Sequence, residues 1–100
     1  MGFVQIIEYQ TSKPDEIQAL GQEYQARREA EGSPRPVQLL AVKDRDRENV
    51  YLTIVRFSSY EEAMENSQRE DTGELAGKIA ALCDAPATFR NLDVLMGWPD

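Results

Sequence analysis

The sequence contains no histidine and a single cysteine, Cys83, among 100 residues. Without imidazole the chain cannot build Ser-His-Asp or Cys-His nucleophile systems, nor the common histidine-based zinc, iron and haem sites. One cysteine cannot form an internal disulfide, so we expect a reducing, cytoplasmic location. Its nearest charged neighbour in sequence is Asp84, whose sign opposes thiolate formation, so we expect Cys83 to be a packed thiol.

Long apolar runs and clustered basic residues are also scarce. No run approaches the ~20 apolar residues of a membrane span, and the first residues lack the basic and apolar segments of a signal peptide. The 18 acidic and 11 basic residues give a net charge of −7. A strongly acidic chain is a poor ligand for phosphates, so we expect neither nucleic acid nor membrane as a partner.

The rest of the composition is typical of a globular protein, with 41% hydrophobic and 29% charged residues. We expect one domain over residues 1–100, of which residues 97–100 form a tail. A chain of this length buries only about 60–70% of its unfolded surface, so association with another copy would add stability.

Strand and helix patterns alternate in the order β-α-β-β-α-β. The first helix is predicted to begin at Ser12-Lys13-Pro14, with Ser12 able to cap it, and Ile17, Leu20, Gly21 and Tyr24 share one of its faces. A charged hairpin turn is predicted at residues 44–49. The predicted strands span residues 3–11, 36–43, 50–57 and 88–96.

The second helix is predicted to consist of two pieces. Overlapping S-x-x-E boxes in residues 58–62 predict its start, and the apolar pattern weakens through residues 68–72. A fresh cap is predicted at Asp71-Thr72-Gly73-Glu74. The acidic side chains of this region are interpreted as a solvated face rather than a metal site, although a basic partner could dock there.

This order predicts a ferredoxin-like α+β fold, with a four-stranded antiparallel sheet whose first strand lies between the third and fourth. Helices would then cover one sheet face. A bare apolar face is not expected on a monomer, so we expect a homodimer through that face. The predicted bare face carries Val4, Ile6, Val50, Leu52 and Ile54.

Three segments resemble the dimeric α+β barrel superfamily, most closely its antibiotic-biosynthesis-monooxygenase-like branch and actinobacterial members of it. They are the first strand running into residues 11–14, the third strand leading into residues 57–63, and residues 80–89. The resemblance implies that two sheets pair in a dimer. It also implies cofactor-independent oxidation or isomerisation of a small aromatic or phenolic compound. The superfamily includes haem degraders, stress proteins and ligand sensors as well, so function must be argued from the site.

The resemblance also implies positions for catalytic residues, and this chain departs at each of them. The similar monooxygenases place Asn, Trp and Tyr where this chain has Thr53, Phe57 and Ala63. The haem-degrading relatives use an Asn near Gln5 and a His on the second helix, and this chain has no His. We therefore expect no cofactor.

Polar residues within the strands, among them Gln5, Glu8 and Asn91, must find partners in so small a protein. We expect Gln5 to lie near Asp93 and Tyr9 near Tyr51. An enzyme would use Tyr9 or Tyr24 as acid or donor and Asp93 as base. The alternatives are a non-catalytic ligand-binding or stress-related module, or side chains that only fill the core. Trp98 is expected either to fray or to pack on a partner. The candidate pocket residues are Gln5, Tyr9, Tyr24, Thr53, Phe57, Met64 and Asp93.

Overall fold

The structure is a computed structural model that describes residues 2–99. These residues form four strands and three helices, in the predicted order with the second helix divided in two. Strands β2 and β4 are shorter than predicted, and β2 begins only after Pro36, which has no N–H to donate to a neighbouring strand. The elements are β1 (Phe3–Gln10), α1 (Pro14–Ala30), β2 (Gln38–Lys43), β3 (Val50–Phe57), α2 (Tyr60–Ser67), α3 (Glu70–Ala81) and β4 (Thr88–Asp93).

The strands form one antiparallel sheet in the order β2-β3-β1-β4, so β1 lies between β3 and β4 as predicted. Tyr9 is opposite Tyr51, which was also predicted. Gln5 was predicted to lie near Asp93; its direct partner is Asn91, and Asp93 lies two residues further along β4 on the same face, opposite Phe3. The register is set where the chain enters β4, since Asp84 N donates to Gln10 O at 2.8 Å just before the strand begins.

Three helices cover one face of the sheet, and the core lies under α2. Phe3, Val55, Phe57 and Ala63 form this core, with exposed fractions of 8% or less, and Met64 packs against them. Burying a large apolar side chain contributes about 1.5–3 kcal/mol, so this cluster is the main local source of stability. Because strand side chains alternate, the residues in register with these define the helix side of the sheet.

The junction of β1 with α1 differs from the prediction, because Ser12 does not cap the helix. Lys13 occupies the capping position without a side-chain cap, and the hydroxyl of Thr11 accepts a hydrogen bond from Lys13 N at 2.9 Å. The same hydroxyl donates to Leu82 O, beyond the end of α3, at 2.7 Å. Thr11 is fully buried. It therefore ties the end of β1 to both α1 and α3.

The start of α2 is as predicted, and that of α3 is not. Ser59 accepts a hydrogen bond from Glu62 N at 3.1 Å, which caps α2. The predicted cap at Asp71 is wrong, because α3 begins at Glu70 with Arg69 in the capping position. The Asp71 carboxylate instead accepts two hydrogen bonds of 2.9 Å from the Arg69 guanidinium.

The sheet face away from the helices, called the open face below, is apolar as predicted. It differs from the prediction at Val50, which is only 2% exposed and is therefore already buried within one copy. Leu40, Val42 and Leu92 extend the face and are 37–45% exposed. Its apolar residues, by register, are Val4, Ile6, Leu40, Val42, Leu52, Ile54 and Leu92.

No helix within residues 2–99 is long and apolar enough to cross a membrane.

Candidate functional site

Two tyrosines stack on the helix side of the sheet, at the end of β1 that leads into α1. The rings of Tyr9 and Tyr51 have centroids 6.1 Å apart and an interplanar angle of 23°. Thr53 lies two residues along β3 on the same face, and Cys83 follows α3 nearby. All four side chains are half-buried. We call Tyr9, Tyr51, Thr53 and Cys83 the tyrosine-pair cluster.

The surroundings of this cluster raise the pKa of two of its side chains, Tyr9 and Cys83. Burial raises the pKa of Tyr9, a hydrogen bond with the Thr53 hydroxyl partly offsets this, and the nearby Cys83 and Tyr51 raise it further. Burial, and then the charge of Asp84, raise the pKa of the Cys83 thiol. Tyr9 is therefore a hydrogen-bond donor at neutral pH. Cys83 is a thiol, which is the opposite of an activated nucleophile and agrees with the sequence prediction.

Tyr24 lies away from this cluster, in the helix layer. Its hydroxyl is 2.7 Å from the Thr72 hydroxyl of α3 and accepts a hydrogen bond of 2.8 Å from Arg28 Nη1. Arg28 also donates to Asn66 Oδ1 of α2 and to Pro34 O at 2.9 Å. The hollow beside Tyr24 has a volume of about 10 Å³, which accommodates one water at most. This arrangement joins α1 to the boundary between α2 and α3.

The sequence analysis did not single out Arg28, the second of two adjacent arginines. The side chain is only 8% exposed. The available signal was its spacing, because Arg28 follows Tyr24 by four residues on the buried face of α1. The Arg28 guanidinium can lie on this otherwise apolar face because it donates hydrogen bonds to three uncharged acceptors.

Gln5 and Asp93 belong to the opposite half of the sheet. The Gln5 amide donates to Asn91 Oδ1 at 3.1 Å, which satisfies one polar residue within the strand. Asp93 is exposed at the end of β4, in register with Phe3. Tyr9 is six residues further along β1, a distance of roughly 20 Å. Tyr9 and Asp93 therefore cannot act together on one small substrate within this chain.

Glu8 finds its partners on the open face. Its carboxylate accepts hydrogen bonds from Arg47 of the hairpin at 3.0 and 3.3 Å and from Arg90 of β4 at 3.3 Å. Arg47 also donates to Asp44 at 2.8 Å. The hydrogen bond with Arg47 lowers the pKa of Glu8. These exposed pairs contribute little stability, and their structural effect is to fix charge at one end of an apolar surface.

The acidic residues of the second helical region are mostly solvated, as predicted. An open groove of about 480 Å³ lies at the start of α3. Within residues 2–99, no three carboxylate or thiol groups lie close enough together to hold a metal ion. The groove is lined by Glu31, Arg69, Glu70, Asp71 and Glu74.

No family model and no curated protein sequence matches this chain. Solved structures do. SnoaB, a cofactor-independent oxygenase from Streptomyces nogalater, has a TM-score of 0.79 at 14% identity, with 99% of this chain and 98% of that chain covered. A structure described as an antibiotic biosynthesis monooxygenase has a TM-score of 0.74 at 15% identity, with coverages of 96% and 100%. Rv0793 from Mycobacterium tuberculosis has a TM-score of 0.77 at 13% identity, with coverages of 97% and 98%.

The chain has the fold of the antibiotic biosynthesis monooxygenases. This confirms both the ferredoxin-like α+β prediction, which rested on the element order, and the resemblance to the monooxygenase-like branch. At identities of 13–15% the likeness establishes the monooxygenase-like fold and not the reaction.

Within this monooxygenase-like fold, two positions named by the resemblance are packing positions. Phe57 is 6% exposed and Ala63 is 3% exposed, and both belong to the core under α2. Met64 packs against the same core. Only Thr53 of the three departing positions lies in the tyrosine-pair cluster. The candidate pocket residues are therefore distributed over the core, the helix layer, the β4 edge and the tyrosine pair.

Proposed function

We propose that this chain binds a small planar aromatic or phenolic compound beside Tyr9 and Tyr51, and oxidises or isomerises it without a cofactor. The observation that carries the proposal is the half-buried tyrosine stack on the helix side of the sheet, with the Thr53 hydroxyl beside it. A planar ring packs well against aromatic faces, and a few hydroxyl groups orient it. The monooxygenase-like fold supports this placement.

The proposed chemistry assigns one role to Tyr9. Its raised pKa keeps the phenol protonated, so it can donate a hydrogen bond to a substrate oxygen on which negative charge develops. The substrate loses its acidic proton to water and, in an oxidation, transfers its electrons to dioxygen. Asp93 does not act as the base in the proposed reaction, because it lies too far from Tyr9. Thr53 would orient the substrate through its hydroxyl.

A non-catalytic binding module is the second candidate function. The observation that favours it is that the four residues of the tyrosine-pair cluster include no carboxylate, while Phe57 and Ala63 occupy the core. The cluster thus offers apolar surface and hydroxyl groups without a base. Such a site can retain a ligand without converting it.

Oxygen uptake with a panel of hydroquinones and anthrones tests the enzyme proposal. We expect turnover, and a loss of about tenfold or more in Tyr9→Phe, because removing one donor to a developing oxyanion costs at least that much. Tyr60→Phe is the matched control, since Tyr60 is 52% exposed and packs edge-to-face on Phe3, outside the cluster. Native mass spectrometry with the same panel measures binding separately. Binding without oxygen uptake supports the second candidate. An outcome in which neither binding nor oxygen uptake is detected refutes both candidates.

We also propose that a second copy of this chain covers the open face. By register this face carries Glu8, Arg56 and Arg90, and the hairpin turn beside it, residues 44–49, adds three acidic and two basic residues, so the two signs are balanced. Two chains of net charge −7 can therefore meet here without repulsion across the contact.

Neighbouring leucines on β2 test this dimer with a built-in control. Leu40 is in register with Ile54 on the open face, whereas Leu39 is in register with Val55 on the helix side. Their exposed fractions are 45% and 40%. We expect Leu40→Asp to give monomers in sedimentation equilibrium at a concentration where wild type and Leu39→Asp are dimeric. A monomeric wild type at micromolar concentration would refute the dimer.

A further inference from the structure

Helix α3 is held in place less firmly than the other two helices. None of its 12 residues is buried, whereas α1 buries Ile17 and Arg28 and α2 buries Ala63. Most of the stability of a helix in a protein comes from the packing of an apolar face, so α3 gains little along its length. Its half-buried residues are Asp71, Thr72, Leu75 and Ile79.

Two glycines weaken α3 further. Gly73 and Gly77 lie within the helix, where each lowers the helix–coil equilibrium constant about four- to fivefold relative to alanine. A Cβ at either position would meet no atom within 4 Å, so no close packing contact requires glycine there. Neither glycine has the positive φ that Gly32 has. The effect of the two glycines is therefore to make α3 easier to unravel.

Both ends of α3 are nevertheless fixed to the rest of the molecule. At its start, the Thr72 hydroxyl is 2.7 Å from the Tyr24 hydroxyl of α1. Just beyond its last residue, Leu82 O accepts a hydrogen bond of 2.7 Å from the buried Thr11 hydroxyl. The helix between these two anchors can therefore lose its order while its ends stay in position.

The C-terminal end of α3 lies beside the tyrosine-pair cluster. The two residues that follow Tyr9 are hydrogen-bonded to the two residues that flank Cys83, with Thr11 bound to Leu82 at 2.7 Å and Gln10 to Asp84 at 2.8 Å. Cys83 is thereby held close to Tyr9. Loss of helix at this end would therefore uncover Tyr9.

An aromatic ligand cannot pass between α1 and α3 as the two helices stand. The hollow between them has a volume of about 10 Å³, which accommodates one water at most. A planar ring is larger than this hollow. Entry on this side therefore requires that α3 unravel or move.

We propose that α3 is a lid on the tyrosine-pair cluster, which unravels between its two fixed ends to admit a small aromatic ligand and then re-forms over it. The inference rests on the proposed function and adds the route by which the ligand enters. Segments that open for ligands belong to the least stable parts of a protein, which have few buried apolar contacts. In this scheme the helix is formed both before and after binding. A change in helix stability should therefore alter the rates of binding and release together and leave Kd unchanged.

Amide hydrogen exchange tests the opening without a ligand. We expect the amides of residues 74–81 to exchange by a local opening that low urea concentrations do not accelerate, while those of β1 and β3 exchange through global unfolding. Gly77→Ala should raise the protection of the α3 amides about four- to fivefold, and its combination with Gly73→Ala about twentyfold. Gly21→Ala is the matched control, because a Cβ at this position of α1 also meets no atom within 4 Å. It should leave the exchange of α3 unchanged.

Stopped-flow fluorescence with 2-naphthol, a planar phenol, tests the route of entry. Gly77→Ala should slow both binding and release about four- to fivefold and leave Kd unchanged. Ala76→Gly, at an exposed position of α3, should speed both rates by a similar factor. Gly21→Ala should change neither rate.

The other outcomes contradict the lid or the site separately. Binding and release rates that do not respond to Gly77→Ala would show that the ligand enters elsewhere. A Kd that changes through the release rate alone would show that α3 contacts the ligand without controlling its entry. Binding of 2-naphthol by a protein whose α3 exchanges only through global unfolding would refute the lid and leave the proposed site. Local opening of α3 without any binding of 2-naphthol would refute the proposed site, and the function of the lid with it.

Discussion

The hydroxyl of Thr11 offers the sharpest test of how the elements are joined. Thr11→Val keeps the shape of the side chain and replaces the hydroxyl by a methyl group at a fully buried position. The hydroxyl donates to Leu82 O at 2.7 Å and accepts from Lys13 N at 2.9 Å. The substitution therefore leaves a carbonyl and an N–H without this partner.

A buried polar group left without a partner costs about 1–3 kcal/mol. With two groups affected, we expect Thr11→Val to lower the free energy of unfolding by about 2–6 kcal/mol. Since 1 kcal/mol shifts the Tm of a domain of this size by at least ~4 °C, the Tm should fall by ~8 °C or more. The total free energy of unfolding of a small domain is about 5–15 kcal/mol, so this loss is a large fraction of it.

Urea unfolding followed by circular dichroism measures this loss. Wild type and variants must be compared at one protein concentration, because association alters apparent stability. Thr11→Ser is the control, since it keeps the hydroxyl and loses one methyl group, which is worth about 0.8 kcal/mol. If Thr11→Val proves as stable as Thr11→Ser, the hydroxyl is not the tie described above.

Two further predictions concern the pKa values of single side chains, Asp71 and Cys83. The paired Arg69 guanidinium lowers the pKa of Asp71 to about 2, so the stabilisation from this pair is present above the unfolded pKa and is lost as pH falls toward 2. Arg69→Gln should move the Asp71 midpoint, followed by carboxyl NMR, up toward its ordinary value, whereas Arg35→Gln should leave it unchanged. Asp84→Asn should speed the reaction of Cys83 with iodoacetamide at pH 8, because the Asp84 charge raises the pKa of the thiol. A slower reaction would contradict that account.

Local patterns in the sequence were sufficient for the elements and their order. The capping serine at Ser59, the polar break between α2 and α3, and the pairing of Tyr9 with Tyr51 were all predicted. Each depends on residues close in sequence, or on strand order that follows from the connections between elements. The monooxygenase-like fold was implied by the resemblance of three segments to that family.

The errors share a cause, which is that the deciding contact is distant in sequence. The direct partner of Gln5 is Asn91 rather than Asp93, and this register depends on the segment after α3, where Asp84 N donates to Gln10 O. Thr11 rather than Ser12 meets the start of α1, since its hydroxyl is also held by Leu82 O, 71 residues away. Arg28 was missed although Tyr24 and Pro34 lie close to it in sequence, because its third acceptor, Asn66, is 38 residues away. Local propensity contains none of this information.

Strand β2, besides its role in the sheet, is the part of the chain most exposed to aggregation. It is an outer strand, all six of its residues are exposed in one copy, and its centre is the uncharged run at residues 39–42. The other outer strand, β4, has Arg90, Asn91 and Asp93 along its length. Charged side chains discourage strand edges from pairing indiscriminately, and β2 has only Lys43 at its end. Aggregation of this chain should therefore begin at β2, and the proposed partner, by covering Leu40 and Val42, would protect the molecule against it.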